Sequence, residues 1–144
     1  MKVHTLTYSL TELETAADFI IQNSASKIIL FDAAMGMGKT TLIKQLCTSL
    51  RTQDTVSSPT FALVNEYQGA DSKIFHFDLY RIKDINEALD MGFEEYLYQD
   101  AWVFIEWPDK VKPLLPEQFT TVKIDQAETD VRKLSIENTS LVSG

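Results

Sequence analysis

The sequence has 144 residues, of which 44% are hydrophobic, and a formal net charge of -8. The length predicts one domain over residues 1–144, and the hydrophobic content excludes a disordered chain. It contains no apolar run of the roughly 18 residues that a spanning helix requires and no apolar N-terminal segment of the signal-peptide type, so we expect a cytoplasmic protein with no membrane partner. An acidic chain is also poorly suited to bind nucleic acid directly, because neutralising phosphates supplies much of that affinity.

The first predicted elements are a helix and a buried strand. Apolar residues at helical spacing predict a helix over residues 11–23, with Ser9 or Thr11 as its cap. Residues 27–31 form a short, isoleucine-rich apolar run, which is typical of a buried parallel strand.

A loop that contains two glycines follows this strand and reads A-A-M-G-M-G-K-T-T from residue 33 to residue 41. The phosphate-binding P-loop pattern is G-x-x-x-x-G-K-[ST], and only its first glycine is replaced here, by Ala33. Backbone N–H groups of such a loop bind phosphates, its lysine pairs with the outer phosphates, and its threonine hydroxyl binds Mg²⁺. We therefore predict a nucleotide site formed by Gly36, Met37, Gly38, Lys39, Thr40 and Thr41.

A helix and a hairpin are predicted next. The helix is expected over residues 39–50, and its apolar face includes the single cysteine, Cys47, which is predicted to be a buried core thiol rather than a nucleophile. Residues 61–67 and 73–80 are two extended segments separated by a turn, which predicts an antiparallel hairpin.

The C-terminal half is expected to contain a further helix, a buried strand and a second hairpin. The helix is predicted over residues 84–99, with Asp84 as a cap and Gly92 as a weak point. A second run of buried-strand type covers residues 102–105 and ends at Glu106.

The second hairpin is predicted over residues 120–125 and 131–137, because both segments alternate between apolar and polar positions. Parallel strands around a P-loop helix, together with two hairpins, predict an α/β fold. We expect a P-loop NTPase-like three-layer domain with a mixed parallel/antiparallel sheet and helices on both of its faces.

Two carboxylates are candidates for the chemistry of this site. Glu106 ends an apolar strand, as a Walker-B-type residue does, and would face Mg²⁺ or a metal-bound water opposite Thr40; alternatively it is a solvated strand-end carboxylate. Asp78 ends the polar face of its strand and could position the attacking water or a metal-bound water; alternatively it only makes hydrogen bonds at the strand end.

A polar loop is predicted over residues 51–59, where nucleotide-sensing switches follow the P-loop helix. A serine or threonine between Ser57 and Thr60 could reach Mg²⁺ or the γ-phosphate and order the loop only when triphosphate is bound. The alternative interpretation is an ordinary Ser-Pro turn.

Together these four elements resemble the TsaE family, the small P-loop ATPases of bacterial tRNA threonylcarbamoyladenosine synthesis. The matching stretches are M-G-M-G-K-T-T-L from residue 35, V-S-S-P-T-F from residue 56, F-H-F-D-L-Y-R from residue 75 and V-F-I-E-W-P from residue 103. The resemblance implies that the P-loop binds ATP, that Thr40 and Glu106 hold Mg²⁺, and that Asp78 and Thr60 belong with Glu106 to the hydrolytic centre and its switch.

The resemblance also implies an adenine site and partners. Residues 9–12, including Thr11, and the pair Val131 and Arg132 would lie near the adenine. TsaB and TsaD would be the partners, tRNA would be bound only indirectly through their complex, and ATP hydrolysis would reset that complex. The loop departs from the family pattern at Ala33 and Ala34, where a glycine and an acidic residue are usual, and we expect this to change affinity and rate rather than fold.

Three other functions stay open at this point. A small-molecule kinase would need an acceptor pocket and usually an arginine-rich lid, whereas the three arginines are scattered along the sequence. A GTPase switch normally carries an N-K-x-D guanine-binding motif, which the sequence lacks. A nucleotide-sensing binding protein with little turnover is the third, and the altered loop favours it.

Overall fold

A seven-stranded mixed sheet lies at the centre of the protein, whose computed structural model describes residues 3–34, 36–52 and 63–140. The strands are β1 (Val3–Ser9), β2 (Ile28–Asp32), β3 (Val64–Gln68), β4 (Lys73–Asp78), β5 (Trp102–Glu106), β6 (Gln118–Glu128) and β7 (Val131–Ser140). The helices are α1 (Leu13–Asn23), α2 (Lys39–Ser49), α3 (Ile85–Asp90), α4 (Phe93–Leu97) and a 3₁₀ helix (Pro108–Leu114).

The strand order is β1-β7-β6-β2-β5-β4-β3. The four central strands β6, β2, β5 and β4 are parallel to one another, whereas β7 is antiparallel to β1 and β6, and β3 is antiparallel to β4. β1 therefore runs in the same direction as β2. As a result, the carboxyl ends of β1, β2, β4 and β5 lie at one edge of the sheet.

Helices cover both faces of the sheet, which confirms the predicted three-layer α/β fold. The face with α1 and α2 buries Ile20, Leu46 and Phe104 in one apolar cluster. The face with α3 and α4 buries Phe93 and Ile105 in a second cluster. β2 contributes to both clusters because alternate residues of a strand point to opposite faces.

The start of α1 differs from the sequence prediction. Its N-cap is Glu12 and makes no side-chain cap hydrogen bond, so a cap at Ser9 or Thr11 was wrong. Ser9 is the last residue of β1, a strand that was not predicted, and its N–H donates to Glu12 Oε1 at 2.9 Å. Tyr8 is the one residue of this edge strand that is fully buried, which left little apolar signal in the sequence.

The helix predicted over residues 84–99 is divided into α3 and α4. Gly92 separates them with a φ of 76°, a left-handed conformation that a continuous right-handed helix cannot contain. The predicted cap is confirmed, since Asp84 accepts a hydrogen bond from the Asn86 N–H at 2.8 Å and forms a capping box with Glu87.

Both hairpins are confirmed, and β6 and β7 extend beyond their predicted ends. Most of the loop predicted over residues 51–59 and the first two residues of the segment 61–67 lie outside the described residues. Within the described ranges, no helix is long and apolar enough to cross a bilayer.

Candidate functional site

The P-loop connects Asp32, at the end of β2, to Lys39, at the start of α2. Gly36 and Gly38 have φ values of 87° and 86°, which glycine adopts without steric cost. Among the residues that the structure describes, no atom lies within 4 Å of a Cβ placed at either glycine. Gly38 is the N-cap of α2 and provides no side-chain cap, which leaves first-turn N–H groups available to an anion.

Ala33 fits this loop because it does not have a positive φ, so its methyl group carries no backbone penalty. Its side chain and that of Met37 pack against the apolar cluster beneath α1 and α2. Met37 therefore contributes its backbone to the loop while its side chain packs against the core.

Thr40 and Glu106 meet at the N-terminus of α2. β5 lies between β2 and β4, and Glu106 is in register with Phe31 on one side and Asp78 on the other. The Thr40 hydroxyl donates a hydrogen bond to Glu106 Oε1 at 3.1 Å. A hydroxyl beside a carboxylate is a donor set suited to Mg²⁺, which binds through one or two protein oxygens and completes its shell with water and phosphate. The two predicted Mg²⁺ ligands therefore fit this ion.

His76 is a residue of this site that was not predicted. Its Nε2 lies 2.7 Å from Glu106 Oε2, and both residues are buried. The alternation along β4 was the available signal, because it places His76 and Asp78 on one face of the strand.

The Lys39 side chain is buried, with a residue exposure of 6%. Its Nζ donates to the Ala33 carbonyl at 3.0 Å and lies 3.4 Å from the centroid of the Trp107 ring. Burial lowers the pKa of the Lys39 ammonium below its ordinary value, and nearby carboxylates, first that of Glu106 and then that of Asp78, oppose the shift. Trp107 has a φ of 56°, which turns the chain sharply after β5.

A cleft of about 400 Å³, which we call the P-loop cleft, brings most of the predicted residues together. Its lining residues are Gly36, Gly38, Lys39, Thr40, Thr41, Asp78, Tyr80, Glu106 and Trp107. Asp78 is partly exposed there and accepts a hydrogen bond from the Tyr80 N–H at 3.1 Å. The Tyr80 ring lies 5.0 Å from the Trp107 ring. Thr60, the remaining predicted residue of the hydrolytic centre, lies outside the described residues.

The residues predicted near the adenine also meet one another, although they do not line the P-loop cleft. Ser9 pairs with Val131 and Tyr8 with Arg132 in the β1–β7 ladder, and the hydroxyls of Ser9 and Thr11 are 2.8 Å apart. The group lies at the sheet edge that carries the P-loop. Arg132 Nε and Nη1 are buried and have no hydrogen-bond partner in the described part of the chain, so both donors would be available to a ligand.

Comparisons with known proteins identify the family of the chain and a structure with a similar fold. Residues 7–134 match the sequence profile of the family described as threonylcarbamoyl adenosine biosynthesis protein TsaE. The chain is 36% identical over 122 residues to the tRNA threonylcarbamoyladenosine biosynthesis protein TsaE of Haemophilus influenzae, covering 83% of this chain and 77% of that protein. It is 32% identical over 136 residues to the protein of the same name from Rickettsia conorii, covering 93% and 77%.

A solved structure shows the same fold. The crystal structure of YdiB from Bacillus subtilis aligns with a TM-score of 0.71 and 20% sequence identity, over 97% of this chain and 88% of that chain. The mixed sheet with helices on both faces is thus shared with an experimentally determined structure.

Proposed function

Since the chain belongs to the TsaE family, we propose that it is a cytoplasmic, Mg²⁺-dependent ATPase that assists tRNA threonylcarbamoyladenosine biosynthesis by acting on a TsaB–TsaD complex. The observation that carries the proposal is the hydrogen bond between Thr40 and Glu106 at the head of a P-loop helix. This pair, beside the buried Lys39, is what a site for Mg²⁺ and a triphosphate needs.

The residues of the P-loop cleft have separate roles in the proposed ATP hydrolysis. The N–H groups around Gly36 and Gly38 would bind phosphate oxygens, and Lys39 would pair with the outer phosphates. Thr40 and Glu106 would hold Mg²⁺, which would supply positive charge to the phosphates. Asp78 would hold the attacking water, since it lies one strand from Glu106 in the same register.

The charge of the P-loop cleft supports a metal-dependent reaction. Of its described lining residues, Lys39 is the single cation, whereas Asp78 and Glu106 are acidic. A triphosphate that enters alone meets two carboxylates, so a divalent cation is needed to balance the charge. A bound phosphate would also favour the protonated form of Lys39, whose pKa burial lowers.

The segments that follow Asp78 and Glu106 are joined by hydrogen bonds. This connection supports the proposal that ATP hydrolysis drives a conformational change. The Leu79 N–H donates to the Glu106 carbonyl at 3.1 Å. Lys110 Nζ, on the 3₁₀ helix, donates to the carbonyls of Ile82 and Lys83 at 2.8 Å each. A change at the γ-phosphate would therefore move both segments together. We include Thr60 in this switch, and Thr11, Val131 and Arg132 in the adenine site.

The experiment is a pull-down on an immobilised TsaB–TsaD complex, with and without ATP and Mg²⁺. We expect the chain to be retained only with the nucleotide, and the variant Lys39→Ala to be lost. Lys44→Ala is the matched control, because Lys44 is exposed on the same helix. Equal retention with and without ATP, or no retention at all, would contradict the proposed partner role.

A nucleotide sensor with little turnover is the second candidate function. It is favoured by Lys39, which bonds to Ala33 and lies against Trp107 instead of projecting into open space. A lysine held in this way has to break two contacts before it can bind a phosphate, which would slow each cycle.

A further inference from the structure

The Glu106 carboxylate is held at both of its oxygens. Oε1 accepts from the Thr40 hydroxyl at 3.1 Å, and Oε2 lies 2.7 Å from His76 Nε2. Because an ionised carboxylate can only accept hydrogen bonds, His76 donates through its Nε2–H. The two oxygens are therefore in different surroundings, one beside Thr40 at the P-loop cleft and one beside a buried ring.

His76 lies in a layer below the P-loop cleft and is not one of its lining residues. It is 1% exposed, and it pairs with Phe104 in the β4–β5 ladder. Its strand neighbour Ile74 is fully buried on the same face. The partner of Glu106 Oε2 is therefore a buried ring N–H rather than bulk water.

The other ring nitrogen of His76 destabilises the folded protein, which argues against a purely structural role for this residue. Nδ1 is buried and has no hydrogen-bond partner among the described residues. A buried polar atom without a partner is destabilising, and an apolar side chain of similar size would avoid it. The hydrogen bond to Glu106 is the interaction that accounts for a histidine at this position.

We propose that His76 is a positioning residue for the Mg²⁺ site, which fixes the rotation of the Glu106 carboxylate so that Oε1 faces Thr40 and the cation. This inference rests on the proposed role of Glu106 as a Mg²⁺ ligand. Side chains that orient metal ligands in this way typically change metal affinity 10- to 100-fold when they are removed. His76 does not line the P-loop cleft, so it would contact neither the nucleotide nor the metal.

The test compares His76→Gln with His76→Asn. The glutamine amide can take the place of Nε2 and donate to Glu106, whereas the asparagine amide is one methylene shorter and falls short of it. The measurement is calorimetric binding of a non-hydrolysable ATP analogue at a series of Mg²⁺ concentrations, with EDTA as the metal-free reference. This readout does not depend on catalytic activity.

We expect the Mg²⁺ concentration at half-maximal effect to rise about 10- to 100-fold in His76→Asn and to stay close to wild type in His76→Gln. Binding in EDTA should be equal in all three proteins. Thermal unfolding checks that each variant is folded. If His76→Asn does not fold, His76→Met, which is apolar and of similar length, takes its place with the same expectation.

A double variant separates an effect through Glu106 from a general one. In a Glu106→Gln background, His76→Asn should cause no further loss of Mg²⁺ dependence, because the coupled residues act as one unit. An equal loss in both backgrounds would overturn the proposal, as would unchanged Mg²⁺ dependence in His76→Asn. If wild-type protein binds the analogue with no Mg²⁺ dependence, the proposed ATPase function fails as well, so the two failures are distinguishable.

Discussion

The Lys39 ammonium lies 3.4 Å from the centroid of the Trp107 ring and bonds to the Ala33 carbonyl at 3.0 Å. A cation over an indole ring is stabilised by about 0.5 to 2 kcal/mol, more when the pair is desolvated. Phosphates of a bound nucleotide would attract the same ammonium. Binding of ATP would therefore be a competition in which Lys39 leaves Trp107.

This relationship predicts a fluorescence change when ATP binds, because the indole loses the cation above it. Trp107→Phe should abolish the change. Trp102→Phe should preserve it, since Trp102 starts β5 at the opposite edge of the sheet and lies near Lys27 instead. Titration of both variants with ATP and Mg²⁺ is the measurement. A full signal in Trp107→Phe would show that Lys39 does not report nucleotide binding through this ring.

Asp78→Asn should separate binding from hydrolysis. The substitution preserves size but removes the carboxylate that would hold the attacking water, and such groups contribute about 10²- to 10⁴-fold to rates. We expect phosphate release in the presence of the partners to fall by at least about 100-fold, while ATP affinity changes by less than about threefold.

The control for this prediction is Asp90→Asn, an exposed carboxylate at the end of α3. It should leave the rate unchanged. A rate in Asp78→Asn within about threefold of wild type would remove Asp78 from the hydrolytic centre and leave it as a strand-end hydrogen-bond acceptor.

Cys47 should be unreactive in the folded protein. It is fully buried on α2, and burial raises the pKa of its thiol to about 12. The thiolate is the reactive form, so a thiol-specific disulfide reagent should not label the native chain at pH 8 but should label it in guanidinium. Cys47→Ala should show no labelling in either state, and rapid labelling of native wild type would contradict the buried position.

The raised pKa of the Cys47 thiol also predicts the direction in which the stability of the folded protein changes with pH. The ordinary pKa is 9.0 and the folded value is about 12, so the folded state holds the thiol proton where the unfolded chain has lost it. The contribution of Cys47 to stability is therefore present below pH 9 and is lost as pH rises towards 12.

Much of the site could be predicted because it depends on local patterns. The loop before Lys39 and the apolar strand before Glu106 are continuous stretches, and parallel strands bring their carboxyl ends to one edge of the sheet. The fold class followed from the same elements. The departure at Ala33 was expected not to change the fold, and Ala33 does not have a positive φ in the structure.

What could not be predicted depends on contacts between distant residues. The bond between His76 and Glu106 joins two strands whose pairing is not evident from either one, and the Lys39–Trp107 contact requires the sharp turn after β5. The edge strand β1 has one fully buried residue and therefore little apolar alternation. Gly92 was predicted to be a weak point of one helix, but the helical spacing of residues on both sides gave no sign that the helix ends there.

The central claim is that Mg²⁺ and ATP are used at the P-loop cleft in concert with partners. The most direct measurement is phosphate release from ATP by wild type, Lys39→Ala and Lys44→Ala, each with and without a TsaB–TsaD complex and with and without Mg²⁺. We predict slow release by wild type alone, faster release with the partners and Mg²⁺, loss in Lys39→Ala and a normal rate in Lys44→Ala. The same rate in Lys39→Ala as in wild type, or wild-type release that neither Mg²⁺ nor the partners increase, would contradict the claim.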